Sequence, residues 1–129
     1  KGAGAKLAKQ LPVSVPSHCA LMHPAAERMR ERLKQLKIET PHIPVLHNTH
    51  VQAESNADAI RDALVRQVES PVRWVETIQK MAADGVDKLV ECGPGKVLAG
   101  LNKRISKETQ TLSVYDPETL RQARAALGA

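Results

Sequence analysis

Val86-Asp-Lys-Leu-Val-Glu-Cys92 runs directly into Gly93-Pro94-Gly95, then into Lys96–Ile105, then into Thr111-Leu-Ser-Val-Tyr115. The first piece is a short apolar-rich run, the glycines punctuate it, and Val97, Leu98, Leu101 and Ile105 recur at helical spacing. A second apolar run follows. Strand, tight turn, helix, strand is the pattern of a crossover unit, and crossover units build parallel sheets. The fold class expected from this stretch is α/β.

Working outward, Pro117 opens a terminal helix through Leu127, and Pro71 opens another that ends at Gly85 as its cap. Asn56 is placed to cap a helix over Ala57–Gln67, with Ile60 and Leu64 on its apolar stripe. A further amphipathic helix starts near His23-Pro24, with Ala26, Met29, Leu33 and Leu36 inward and Arg28, Arg30, Arg32, Lys34 and Lys37 on the other faces. Leu11–Val15 and Pro44–Asn48 read as two more short strands.

The chain has 129 residues, 42% hydrophobic and 26% charged, which suits a globular domain or a piece of one. No apolar run approaches the ~20 residues needed to span a bilayer. The opening Lys1-Gly-Ala-Gly-Ala-Lys6 lacks the apolar core of a secretory signal and there is no initiator Met, so the chain is expected to start after something has been removed. Two cysteines, Cys19 and Cys92, make no disulfide framework, and a reducing cytoplasmic setting is the expectation. The net charge of +5 favours acidic partners. Trp74 and Tyr115 are the only aromatics, too few to stack single-stranded nucleic acid.

Ligands of α/β sheets bind at loops beyond the strands' carboxyl ends. Val15-Pro-Ser-His18-Cys19 is one such loop, and its His18 is either a general base or an ordinary polar loop residue. Cys19 points away from His18 along an extended chain, so it reads as a small buried hydrophobe. Glu91–Gly95 is the other loop. The helix N-terminus after it could favour an anion, yet the run matches neither GxxxxGK[ST] nor GxGxxG and, taken alone, reads as a tight strand-to-helix turn. The five histidines (His18, His23, His42, His47, His50) show no HExxH spacing, so no metal site is expected.

Five motifs in order carry a resemblance: Ser14-Val-Pro-Ser-His-Cys-Ala-Leu-Met22, Pro44-Val-Leu-His-Asn48, Ile60-Arg-Asp-Ala-Leu-Val-Arg-Gln67, Pro71-Val-Arg-Trp74 and Glu91-Cys-Gly-Pro-Gly-Lys-Val-Leu98. Together they resemble the bacterial malonyl-CoA:acyl carrier protein transacylases of type II fatty acid synthesis, and more distantly polyketide acyltransferase domains. The resemblance implies an α/β-hydrolase-like core with a mostly parallel sheet and an inserted ferredoxin-like subdomain. Residues 1–13 would end that insertion, and 14–129 would form the C-terminal part of the core. It implies ping-pong transfer from malonyl-CoA, through a serine ester, to the phosphopantetheine thiol of acyl carrier protein, with no cofactor.

Under the same resemblance His18 is the catalytic base and a main-chain carbonyl at Gln67 orients it, with Arg66 or Asp62 as the ordinary alternatives. Ser17 lines the acyl pocket. Asn48 and the Gly93–Gly95 turn line or brace the site. No Gly-x-Ser-x-Gly elbow occurs, and the carboxylate-binding arginine belongs to a missing N-terminal portion, so the chain alone is expected to be inactive and to expose apolar faces. Basic residues from Glu27 to Lys37, with Lys96, Lys103 and Arg104, are expected to meet the acidic carrier protein. The remaining alternatives are a different acyl specificity and a non-catalytic module for an acidic protein; neither nucleic acid nor membrane is an expected partner.

Overall fold

In the computed structural model, which describes residues 2–10 and 12–128, five helices and two strands form. In chain order they are α1 (His23–Lys34), α2 (Ala57–Glu69), α3 (Trp74–Ala83), β1 (Lys88–Cys92), α4 (Val97–Ile105), β2 (Gln110–Val114) and α5 (Pro117–Leu127), with a 3₁₀ turn at Ala20–Met22. The class is α/β. The chain divides into two compact units, Lys1–His42 with Glu54–Val72, and Ile43–Ala53 with Arg73–Ala129.

The first unit is built on α1 against α2. Ala26 and Leu33 of α1 are buried with Val65 of α2, and Met29, Ile38, Leu64 and Val68 close around them. Pro24 occupies the first turn of α1, where a missing N–H costs nothing. The Asn56 side chain accepts from the amides of Asp58 and Ala59 and starts α2 as expected. The end of α1 is tied to α2: Arg61 donates to Leu33 O in the last turn at 3.1 Å and to Leu36 O just beyond the helix at 2.8 Å. One guanidinium thus adds a second donor to Leu33 O, which also accepts from Leu36 N at 3.2 Å, and reaches Leu36 O in the following turn. Leu36, expected inward, falls beyond the helix and is exposed.

The expected strand at Leu11–Val15 does not form over residues 12–15, and Leu11 lies outside the described residues. Pro12 and Pro16 offer no N–H to a ladder, and Val13 and Val15 are exposed.

In the second unit β1 and β2 pair in parallel, Lys88 opposite Gln110 through Cys92 opposite Val114. α4 and α5 pack on β2, and α3 packs on α4. Ile78 of α3 is fully buried, Ala99 and Asn102 of α4 are buried, and Trp74 Nε1 donates to Asn102 Oδ1 at 3.0 Å. Gly85 just past α3 has φ 88°, and the amides of Gly85 and Val86 donate back to Ala82 O and Met81 O. This left-handed closure needs glycine. At α5, Asp116 and Thr119 form a reciprocal capping box.

Three expectations are corrected here. Pro44–Asn48 is not a strand; Leu46 makes a single antiparallel bridge to Ala53 because the chain reverses at once, with His47 N donating to Gln52 O. α3 starts at Trp74 and not at Pro71: Ser70 before the proline is extended, and Arg73 N donates to Asn48 O at 2.8 Å. Val97, Leu98 and Leu101 of α4, like Val72 and Val75, are exposed, Val97 by 71%. A two-stranded sheet is too narrow to cover the whole apolar stripe of a helix, so only the Ala99–Asn102 face is buried.

Candidate active site

The turn that carries His18 is made by proline and by local hydrogen bonds. Pro16 fixes its own φ, Ser17 N donates back to Val15 O at 2.9 Å, and Cys19 Sγ donates to Pro16 O at 3.2 Å. Cys19 is half-buried, not fully buried as expected, because its thiol turns back onto this loop. His18 takes φ 58°, a left-handed conformation that costs a residue with a Cβ about 1–3 kcal/mol. That conformation aims the exposed imidazole at the end of α2, where Nδ1 lies 2.7 Å from Gln67 O.

Two features of the sequence leave that carbonyl free. Gln67 sits in the last turn of α2, where carbonyls have no partner within the helix. Four residues on stands Pro71, which has no N–H to offer had the helix continued. A carbonyl only accepts, so Nδ1 carries the proton of this bond. The neutral ring then presents Nε2 with its lone pair bare. The carboxyl end of a helix also carries partial negative charge, which favours an imidazolium formed there. Arg66 and Asp62, the alternative partners, pair with each other at 2.8 Å. Ser17 is exposed beside His18.

Asn48 belongs to the other unit. It lies in a strained turn, for Val51 is β-branched and buried yet has φ 58°. The rings of His47 and His50 stack there at 5.5 Å. Asn48 Oδ1 is buried and accepts from no donor among the described residues, a deficit of about 1–3 kcal/mol.

At the Glu91–Gly95 loop the expected anion position is already filled. The Glu91 carboxylate accepts from Leu98 N at 3.1 Å and Ala99 N at 2.8 Å, capping α4 from the preceding strand. Lys96 stands 4.9 Å from the Tyr115 ring, and its hydrogen bond to Tyr115 holds the ammonium above the usual lysine range. Among the described residues no three His, Cys, Asp or Glu side chains gather to hold a metal.

No family model matches the chain. Over 116 residues it is 60% identical to the malonyl CoA-acyl carrier protein transacylase of Haemophilus influenzae, covering 90% of this chain and 37% of that protein. An acyl carrier protein S-malonyltransferase structure from Vibrio cholerae superposes with a TM-score of 0.88 at 52% identity, covering 95% of this chain and 40% of that one. The chain is a partial relative of the malonyl CoA-acyl carrier protein transacylases. A malonyl-transacylase solved in complex with a type II PKS acyl-carrier protein aligns with a TM-score of 0.91 at 47% identity, again over 40% of its length. The chain therefore spans 37% to 40% of the length of these transacylase relatives.

The basic side chains expected to meet a carrier protein differ in how free they are. Arg30 pairs with Glu27 at 3.3 Å and lies 3.8 Å from Asp62, and Lys34 pairs with Glu31 at 2.7 Å. Among the described residues Lys103 and Arg104, at the end of α4, have no acidic partner. Sequence reasoning missed Glu91, although a carboxylate just before a glycine turn and a helix start was a usable signal. It also missed Pro71 as the reason Gln67 O is open, which the i to i+4 spacing would have revealed.

Proposed function

We propose that this chain is the base-bearing part of an acyltransferase that moves a malonyl group from malonyl-CoA to the phosphopantetheine thiol of acyl carrier protein. The observation that carries the reading is the 2.7 Å contact of His18 Nδ1 with Gln67 O, which leaves Nε2 as the free base. The nucleophilic serine comes from the part of the relatives' length that this chain does not span. His18 Nε2 takes the serine proton as the oxygen attacks the thioester carbonyl, then returns a proton as CoA leaves. It next takes the proton of the pantetheine thiol, which attacks the serine ester, and returns a proton to the departing serine oxygen. Gln67 acts through its main chain, holding the tautomer and compensating the imidazolium as a carboxylate does in other serine–histidine sites.

Ser17, next to the base, borders the acyl group, and the open Oδ1 of Asn48 accepts from substrate or from another part of the enzyme. Residues 1–13 close a ferredoxin-like insertion, and 14–129 belong to the core. No helix among the described residues is long and apolar enough to cross a membrane. The two free cysteines suit a reducing, cytoplasmic setting for the enzyme.

Malonyl transfer by the full-length protein, wild type against His18→Ala, tests this. Loss of roughly 100-fold or more fits a general base. Near-normal transfer by the variant, or none by the wild type, overturns the reading. Carrier-protein docking has its own check: reversing Lys103 and Arg104 to Glu should raise KM for acyl carrier protein several-fold, more than reversing the already paired Arg30 and Lys34. An equal rise in KM for malonyl-CoA would show the effect is not docking.

A further inference from the structure

Just past the end of two of the motifs stand two residues that no motif includes. His23 Nδ1 lies 2.7 Å from Glu69 Oε2. His23 opens α1, one 3₁₀ turn after His18, and Glu69 closes α2, two residues after Gln67. The His18–Gln67 and His23–Glu69 contacts therefore join the same two segments and close a short ring of chain between them.

We propose that His23 and Glu69 are positioning residues for the His18 imidazole; the proposal rests on the reading of His18 as the base. A single hydrogen bond from a ring to one carbonyl fixes a distance but leaves the strained loop free to tilt about it. His18 has a left-handed backbone, and such conformations persist only where the surroundings over-determine them. The second tie removes that freedom by fixing the far end of the Ala20–Met22 turn on the last turn of α2. The His23 side chain is 64% exposed and that of Glu69 24%, so the pair adds little to global stability. Its effect is on geometry, which catalysis reads more sharply than stability does.

The test uses the full-length protein. Glu69→Ala and His23→Ala should each lower kcat roughly 5- to 10-fold with KM for malonyl-CoA unchanged and the thermal midpoint little moved. Glu69→Gln, which keeps an acceptor for the ring N–H, should recover most of that loss. In a His18→Ala background, Glu69→Ala should cost nothing further, because it acts through the missing imidazole. Unchanged kcat in both alanine variants overturns the proposal, as does a rise in KM alone or an equal loss with and without His18. Near-normal transfer by His18→Ala itself would bring down the base reading, and this tie with it.

Discussion

The turn at His18 and the turn at Gly93–Gly95 both deliver the chain into a helix, and both carry a polar group suited to chemistry. They finish differently. At Gly93–Gly95 the donors at the start of α4 are satisfied by Glu91 from the same strand, and Gly93 N itself donates to Val114 O at 3.0 Å. At His18 one nitrogen is bound to Gln67 O, the backbone is strained, and the other nitrogen has no partner among the described residues. A turn whose carboxylate is already engaged in capping its own helix is structural. A turn held in a costly conformation with one valence left open is arranged for a reactant.

The largest expected effect is at His18, where alanine should cost transfer roughly 100-fold or more while leaving the unfolding midpoint nearly unchanged. Glu91→Ala should do the opposite. Removing the carboxylate strands the amides of Leu98 and Ala99 and should cost about 1–2 kcal/mol in urea unfolding, with kcat within about threefold of wild type. A collapse of kcat at equal folded concentration would break the contrast and place the glycine turn in the machinery. Gln67→Ala sharpens it from the other side: the carbonyl survives, so kcat should stay within about threefold. A drop near that of His18→Ala would transfer the role to the Gln67 side chain.

The smallest effect is expected at Asp116, another saturated cap. Hydrogen bonds from the Thr119 amide and hydroxyl hold its carboxyl below the usual range. A group whose folded value is depressed stabilises above its unfolded value, near pH 4, and loses that contribution as pH falls through the folded value. The stability difference between wild type and Asp116→Asn should thus be present at neutral pH and shrink in acid. A difference independent of pH would mean that the charge of Asp116 is not what caps α5.

Helices were legible because their determinants are local. Asn56, Pro24, Gly85 and Pro117 each act within one turn of the helix end they mark, so the element and its signal lie in the same short stretch. Leu11–Val15 and Pro44–Asn48 alternate as strands do, yet a strand exists only where a neighbour meets its ladder. Leu46 met one residue and residues 12–15 met none. The apolar stripe of α4 was visible at 97, 98 and 101, but its burial depends on how much sheet lies opposite.

The site divides along the same line. His18 in its proline turn was visible as a candidate from five consecutive residues, and the pairing with Gln67 came from family resemblance and not from spacing. The sequence by itself determined the class, the helices, the caps at Asn56 and Gly85, and the absence of a Gly-x-Ser-x-Gly nucleophile elbow in these residues. Only the tertiary structure decided that residues 49 apart meet at 2.7 Å, that Glu91 fills the helix end its own loop leads to, and that His23 reaches Glu69. The physical reason is range: capping and periodicity act across three or four residues of one chain segment, whereas a tautomer is selected by whichever acceptor folding brings against the ring.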